Sequence, residues 1–264
     1  MAAVASQDRS RAAAPEGAAA LADLIAGSER AVVLTGAGIS VPSGIPDFRS
    51  PGTGIWEGVD PMEVAHVDAW RNDPDRFWRF YGERFAALAD KRPNRAHEVV
   101  AELERAGAIR GVITQNVDRL HRAAGSDNLL EIHGSIESSL CMQCGGRTAI
   151  DRVVEILASA PGAPECPACV YPLKPDVVLF GELLPRDVMA AAERLALEAD
   201  LMICIGSSLS VHPAAGLPQL TLEAGGSLAI VTEGPTPLDD QATLKLDGDV
   251  VAELDAVGAS LAAR

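Results

Sequence analysis

"VVLTGAGISVPSGIPDFRS" (residues 32–50) decides the fold. The apolar run Val32, Val33, Leu34 reads as a buried strand, and it meets a tight glycine turn at Gly36 and Gly38. A parallel strand passes phosphate oxygens to backbone N–H groups in this way, at the opening of a dinucleotide-binding unit. The third glycine of G-x-G-x-x-G would fall on Val41, however, and Pro42, Ser43, Gly44 and Pro46 break any helix that should follow. The reading is therefore a nucleotide site whose helix is replaced by a loop ending in Asp47, Phe48 and Arg49.

Outward from this stretch, apolar strand-like runs recur at 109–114, 129–132, 177–180, 201–205 and 228–231. Amphipathic stretches of helical length separate several of them. In "HEVVAELERAG" Val99, Val100 and Leu103 share a face, and in "DVMAAAERLALEA" Val188, Leu195 and Leu197 do. Near-continuous apolar strands such as "LMICIG" mean burial on both faces, so the expected fold is α/β with a parallel sheet and helices on either side. Two stretches interrupt the alternation. Residues 50–95 carry all three tryptophans in short helices and turns and resemble a lid. Residues 137–175 hold four of the five cysteines among Gly and Pro, with little core-forming sequence of their own.

The 264 residues are enough for one sizeable core and a small second module. A formal charge of −15 argues against bulk nucleic-acid binding, which needs clustered Lys and Arg. Apolar runs stay short of a membrane span, and the N-terminal residues lack a secretory core; Asp8 and Glu16 also argue against a transit peptide. A cytoplasmic protein with a disordered tail over 1–19 is expected, with neither membrane nor direct nucleic-acid partners.

"CMQC" and "CPAC" place Cys141, Cys144, Cys166 and Cys169 as two C-x2-C hooks. Each hook turns both sulfurs to one side, which suits a tetrahedral thiolate zinc site; disulfides are the alternative. Four thiolates leave no position for water, so the zinc would be structural. Cys204, within "LMICIG", reads as a small buried hydrophobe.

Three apolar runs end in polar residues at what would be the carboxyl edge of the sheet, where open α/β sheets bind ligands. "VITQNVDRLH" presents Gln115, Asn116 and Asp118, although Asn116 or Asp118 could equally start a helix. "LLEIHGS" presents His133, a candidate general base, whereas His66, His97, His121 and His212 read as structural. "CIGSSLSVHPAAGLP" presents Gly206, Ser207 and Ser208, small donors suited to phosphate or ribose.

Taken together, "GAGIS" with "SGIPDFRS", "TQNVDRLH", "HGS", the paired "CMQC" and "CPAC", "KPDVVLFGELLP" and "GSSLSVHPAAGLP" resemble the sirtuins, the NAD-dependent protein deacylases, from about residue 20 to about residue 250. The resemblance implies a Rossmann-like NAD-binding domain over 20–52, 96–136 and 176–264. It implies a small domain made of a helical insertion, 53–95, and a zinc-ribbon insertion, 137–175. It further implies that NAD is consumed as a co-substrate: the acyl-lysine oxygen attacks the ribose carbon, nicotinamide leaves, and His133, helped by Asn116, drives transfer of the acyl group to ADP-ribose. Gly36, Ala37 and Gly38 would approach the pyrophosphate, Arg49 a phosphate, and Ile45, Asp47 and Phe48 the nicotinamide half. Gln115, Asn116 and Asp118 would line the ribose pocket, with Gly206, Ser207 and Ser208 opposite. Val178, Phe180, Gly181 and Glu182 resemble the strand beside which an acyl-lysine peptide lies. Thr232 stands where many sirtuins have Asn, which alters the adenosine end.

"RFYGERF" sets Tyr81 and Arg84 on one face of a helical turn. The pair resembles that of the desuccinylase and demalonylase class, where both side chains hold the distal carboxylate; a packed Tyr and a solvated Arg are the alternative. Protein mono-ADP-ribosyl transfer and a binding sensor for NAD or ADP-ribose without turnover are the competing functions.

Overall fold

The computed structural model describes residues 15–46, 60–159 and 162–264. In chain order the elements are α1 (Pro15–Gly27), β1 (Ala31–Thr35), a 3-10 turn (Ala37–Ser43), α2 (Pro61–Val64), α3 (Val67–Asn72), α4 (Pro74–Ala89) and α5 (Arg95–Arg105). Then come β2 (Val112–Thr114), α6 (Leu120–Ala124), β3 (Leu129–Glu131), β4 (Gly134–Cys141), β5 (Arg147–Ala149), α7 (Ile150–Ser159) and β6 (Leu173–Val177). The chain closes with α8 (Arg186–Glu198), β7 (Leu201–Ile205), α9 (Leu217–Glu223), β8 (Ser227–Val231), β9 (Leu244–Leu246) and α10 (Val250–Ala262).

Six strands form one parallel sheet in the order β3-β2-β1-β7-β8-β9. Every residue of β1 and β7 is buried, as expected of strands covered on both faces. Val33, Ile203 and Ala229 face a core built with α1, α5 and α10. Val32, Leu34, Met202 and Ile230 face the opposite core, built with α8 and α9. Strand order reverses beside β1, so β1 and β7 flank the topological switch point, and a ligand crevice belongs outside their carboxyl ends.

The remaining elements share a third core. Trp70, Phe77, Trp78 and Phe85 from the helical insertion pack with Ile136, Cys141, Val153, Cys166 and Leu173 from the cysteine-bearing stretch. The carbonyl oxygen of Leu173 accepts both indole N–H groups, from Trp70 at 3.0 Å and Trp78 at 2.7 Å. α3 and α4 thus pack directly against the cysteine-bearing stretch.

Several details differ from expectation. Residues 15–19 belong to α1, where Ala18 is buried against β9 and α10, so an apolar helix face displaces part of the expected tail. The run 177–180 is no strand of the main sheet: β6 ends at Val177 and pairs antiparallel with β4, leaving a single bridge between His66 and Phe180. This pairing carries β4 and β6 across the expected boundaries at 136 and 175. The cysteine-bearing stretch also holds α7, whose Ile150 and Val153 are buried.

Candidate functional site

At the switch point two backbones touch. The Gly38 N–H donates to Gly206 O at 2.8 Å and the Gly36 N–H to Ile205 O at 3.0 Å. A Cβ on Gly38 would stand 2.7 Å from Gly206 Cα, and one on Gly36 would stand 2.8 Å from Gly206 O. Gly206 has φ +61, and a Cβ there would collide with the Ile39 nitrogen. Glycine is therefore required at all three positions by the contact between the two backbone segments, and the N–H groups of Gly36 and Gly38, bonded to Ile205 O and Gly206 O, are not the ones offered to a phosphate. The expected loop after Gly36 is a 3-10 helix that contains Pro42 and ends at Gly44, φ +75. Ile45 follows it, buried, with its N–H on Ser40 O. Asp47, Phe48 and Arg49 lie outside the described residues.

Ser40, on this turn, is the hub of a buried network. Its hydroxyl donates to Asp118 Oδ2 at 2.6 Å and accepts from Asn116 Nδ2 at 3.1 Å, while His97 Nε2 lies 3.4 Å away. Asn116 Nδ2 also donates to Gly36 O at 3.0 Å. Asp118 does two jobs at once: Oδ2 faces Ser40, and Oδ1 accepts the Leu120 N–H that opens α6. Burial raises the Asp118 pKa against the opposing pull of the Ser40 and Leu120 hydrogen bonds. Beneath the hub, His121 Nε2 meets Thr35 Oγ1 at 2.9 Å, and its ring lies 4.9 Å from that of His97. Burial holds both imidazoles neutral, pushing His97 down to about 4 and His121 to about 3.

One residue outside the expected set positions the turn. Asn94 caps α5 by accepting the Ala96 N–H, and its Nδ2 donates to Ile39 O at 2.8 Å and Ser43 Oγ at 2.9 Å. The Asn94 N–H reaches back to His97 Nδ1, completing a capping box. The spacing Asn94 to His97 just ahead of an apolar periodic run is a helix-start signal that sequence reading can recognise.

His133 sits where β3 hands over to β4. Its Nδ1 is 2.9 Å from Gln115 O, an atom that can only accept, so Nδ1 carries the proton and Nε2 keeps its lone pair. Burial lowers the His133 pKa, opposed by this hydrogen bond, and the ring is neutral near pH 7. Gln115 Nε2 in turn donates to Ser207 Oγ at 2.9 Å, joining the ends of β2, β3 and β7 in one polar line. Ser208 is exposed and bonded to Ser210, and Thr232, at the end of β8, is buried with its N–H on Leu246 O.

Val178 and Phe180 form no regular strand, but both are tied in: the Val178 N–H donates to His133 O and the Phe180 N–H to Ala65 O, while the Val67 N–H donates to Phe180 O. Gly181 lies against the His66 ring, and Glu182 meets the buried Lys174 ammonium at 2.9 Å. Tyr81 packs between Phe77 and Phe85, with ring centroids at 4.6 and 5.4 Å, and burial raises its pKa above the usual range against the pull of Arg84. Arg84 stacks on Phe80, 3.8 Å from the ring centroid, and donates to Phe80 O. Tyr81 and Arg84 thus share α4, each held by aromatic neighbours.

The four cysteine sulfurs lie within 4.8 Å of one another, with Cys141 to Cys169 at 3.4 Å and Cys144 to Cys166 at 3.6 Å. A tetrahedral zinc thiolate site places its sulfurs about 3.8 Å apart. Both hooks make the same turn: the Cys141 N–H bonds Gly146 O and the Gly145 N–H bonds Cys141 O, while Cys166 pairs likewise with Tyr171 and Val170. The set fits zinc, and none of the four is in a disulfide. Among the described residues no helix is long and apolar enough to cross a membrane.

Comparison with known proteins follows the same lines. The profile of the Sir2 family matches residues 36–213. The NAD-dependent protein deacetylase of Thermotoga maritima is 45% identical over 229 residues, 87% of this chain and 92% of that protein. A solved structure of Sir2 with a p53 peptide and NAD+ is 42% identical with a TM-score of 0.86, covering 93% of this chain and 98% of that one. Another, a Sir2 variant with deacetylated p53 peptide and 3′-O-acetyl ADP-ribose, is 44% identical with a TM-score of 0.86, covering 90% and 96%.

Proposed function

The chain belongs to the Sir2 family, and from that premise we infer that it is an NAD-dependent protein-lysine deacylase, releasing nicotinamide and passing the acyl group to ADP-ribose. The observation that carries the reading is His133: a neutral imidazole with Nδ1–H fixed on a carbonyl and Nε2 basic, at the carboxyl ends of β2 and β3 and joined through Gln115 to that of β7. A base of this kind takes a proton from a ribose hydroxyl at neutral pH. Asn116 and Asp118, locked through Ser40, form the floor of the pocket, and Gln115 couples that floor to Ser207. NAD enters as a substrate. Zinc, held by Cys141, Cys144, Cys166 and Cys169, would supply cross-linking of the small module and no chemistry.

The acyl-lysine peptide lies along Val178 to Glu182, whose anchoring to His133 O ties the substrate segment to the base. Arg84 and Tyr81 extend the acyl range to succinyl and malonyl groups; the carboxylate would replace the Phe80 carbonyl as acceptor for the Arg84 fork. The test is purified protein with NAD and matched acetyl-lysine and succinyl-lysine peptides, following peptide mass and nicotinamide together. Loss of either acyl group with stoichiometric nicotinamide supports deacylation. Nicotinamide without peptide deacylation moves ADP-ribosyl transfer ahead, and no turnover favours a binding sensor.

A further inference from the structure

Burying a lysine ammonium is costly unless its donors are matched, and Lys174 on β6 is buried with all three matched. Its Nζ lies 3.1 Å from Pro175 O, 2.7 Å from Val177 O and 2.9 Å from Glu182 Oε2. Glu182 closes the same turn from the other side: its Oε2 accepts the Leu179 N–H at 2.9 Å and its own N–H donates to Leu179 O at 3.0 Å. Gly181, between them, has φ +83, and a Cβ there would also run into the His66 ring, so the turn needs glycine on both counts. The segment 178–182 is therefore fixed at one end on the carbonyl of His133 and at the other on a buried charge pair.

The reach of the pair exceeds what packing needs. An apolar residue at 174 would fill the space, but it would release two carbonyls and a carboxylate that together set the path of the turn. We propose that Lys174 is a positioning residue for the acyl-lysine peptide: through Val177 O and Glu182 it sets the line of Val178 to Gly181 against which the substrate backbone lies. This rests on reading the protein as a deacylase.

The experiment compares wild type, Lys174→Met, Glu182→Gln and the double variant, measuring KM for an acetyl-lysine peptide and for NAD, with amide hydrogen exchange on the same proteins. Lys174→Met is expected to raise the peptide KM about tenfold while the NAD KM stays within about twofold. Exchange at Leu179 should speed up while β7 and β8 are unchanged, and the double variant, which leaves no lone buried charge, should recover part of the peptide affinity. If Lys174→Met does not fold, Glu182→Gln, which keeps an oxygen for Leu179 and removes only the charge, carries the same expectation at smaller size. An unchanged peptide KM in an active enzyme, or equal losses for peptide and NAD, overturns the inference alone. An inactive wild type overturns the deacylase reading and this inference with it.

Discussion

The switch point and the cysteine ribbon hold their residues by opposite means. At the switch point three glycines let two backbones touch, and Ser40 is surrounded by partners the chain itself supplies. In the ribbon, four thiols converge on two hairpin turns with only a small core behind them. The first is organised by the fold alone, whereas the second would need an ion to offset the repulsion of four thiolates. The two regions meet where segment 178–182 leaves β6, which belongs to the small module, because its first residue, Val178, donates its N–H to His133 O.

The largest effect expected is metal removal. Structural zinc contributes about 10–16 kcal/mol in small zinc modules, so chelation or Cys166→Ser should unfold the ribbon and abolish peptide deacylation. Trp70 and Trp78, bonded to Leu173 in the shared core, report this by fluorescence, while the main sheet keeps a separate calorimetric transition. A single unaltered melt after metal removal would break the comparison.

Gly206→Ala should do the reverse, harming the sheet and sparing the ribbon. Overpacking costs about 1–3 kcal/mol, and each kcal/mol lowers Tm by about 2–4 °C for a chain of this size. Zinc content should stay at one per chain, and the KM for NAD should rise. An unshifted Tm would mean that the two backbones have room to part.

Acid sharpens the contrast further. His97 and His121 are held neutral in the fold, with pKa near 4 and 3 against an ordinary 6.5, so the unfolded chain takes up protons that the native chain refuses. Stability is whole above pH 6.5 and falls on acidification, by about 1.5 kcal/mol per histidine between pH 6.5 and 5. Asp118, whose pKa is raised, acts in the opposite direction above the ordinary carboxylate range. Thermal melts from pH 7 to 5 should show a falling Tm, lost in a His97→Asn, His121→Asn double variant. The smallest effect concerns acyl choice: Arg84→Met should weaken succinyl-lysine turnover several-fold more than acetyl-lysine turnover, and equal losses would leave Arg84 a packing residue of α4.

Much of this was legible from spacing. The hooks Cys141/Cys144 and Cys166/Cys169, and the strand ends at Gln115, His133 and Ser207, announce themselves because each lies within a few residues of an apolar run or turn. What stayed hidden depends on distant partners. Ser40 looks like one more loop serine until Asn116, Asp118 and His97 arrive from other elements. The histidines at 97 and 121 carry no local sign of burial beside the site. β6 is hard to read because Lys174, Pro175 and Asp176 interrupt its apolar pattern, and β9 because three residues with a lysine in the middle make a weak one.

The most direct test follows labelled nicotinamide and acetyl-peptide mass together in wild type and His133→Ala. The account predicts that the variant still incorporates label into NAD, because nicotinamide departs before His133 acts, while peptide deacetylation falls by about 10²–10⁴-fold and Tm stays put. Deacetylation at the wild-type rate in a folded His133→Ala protein would contradict it.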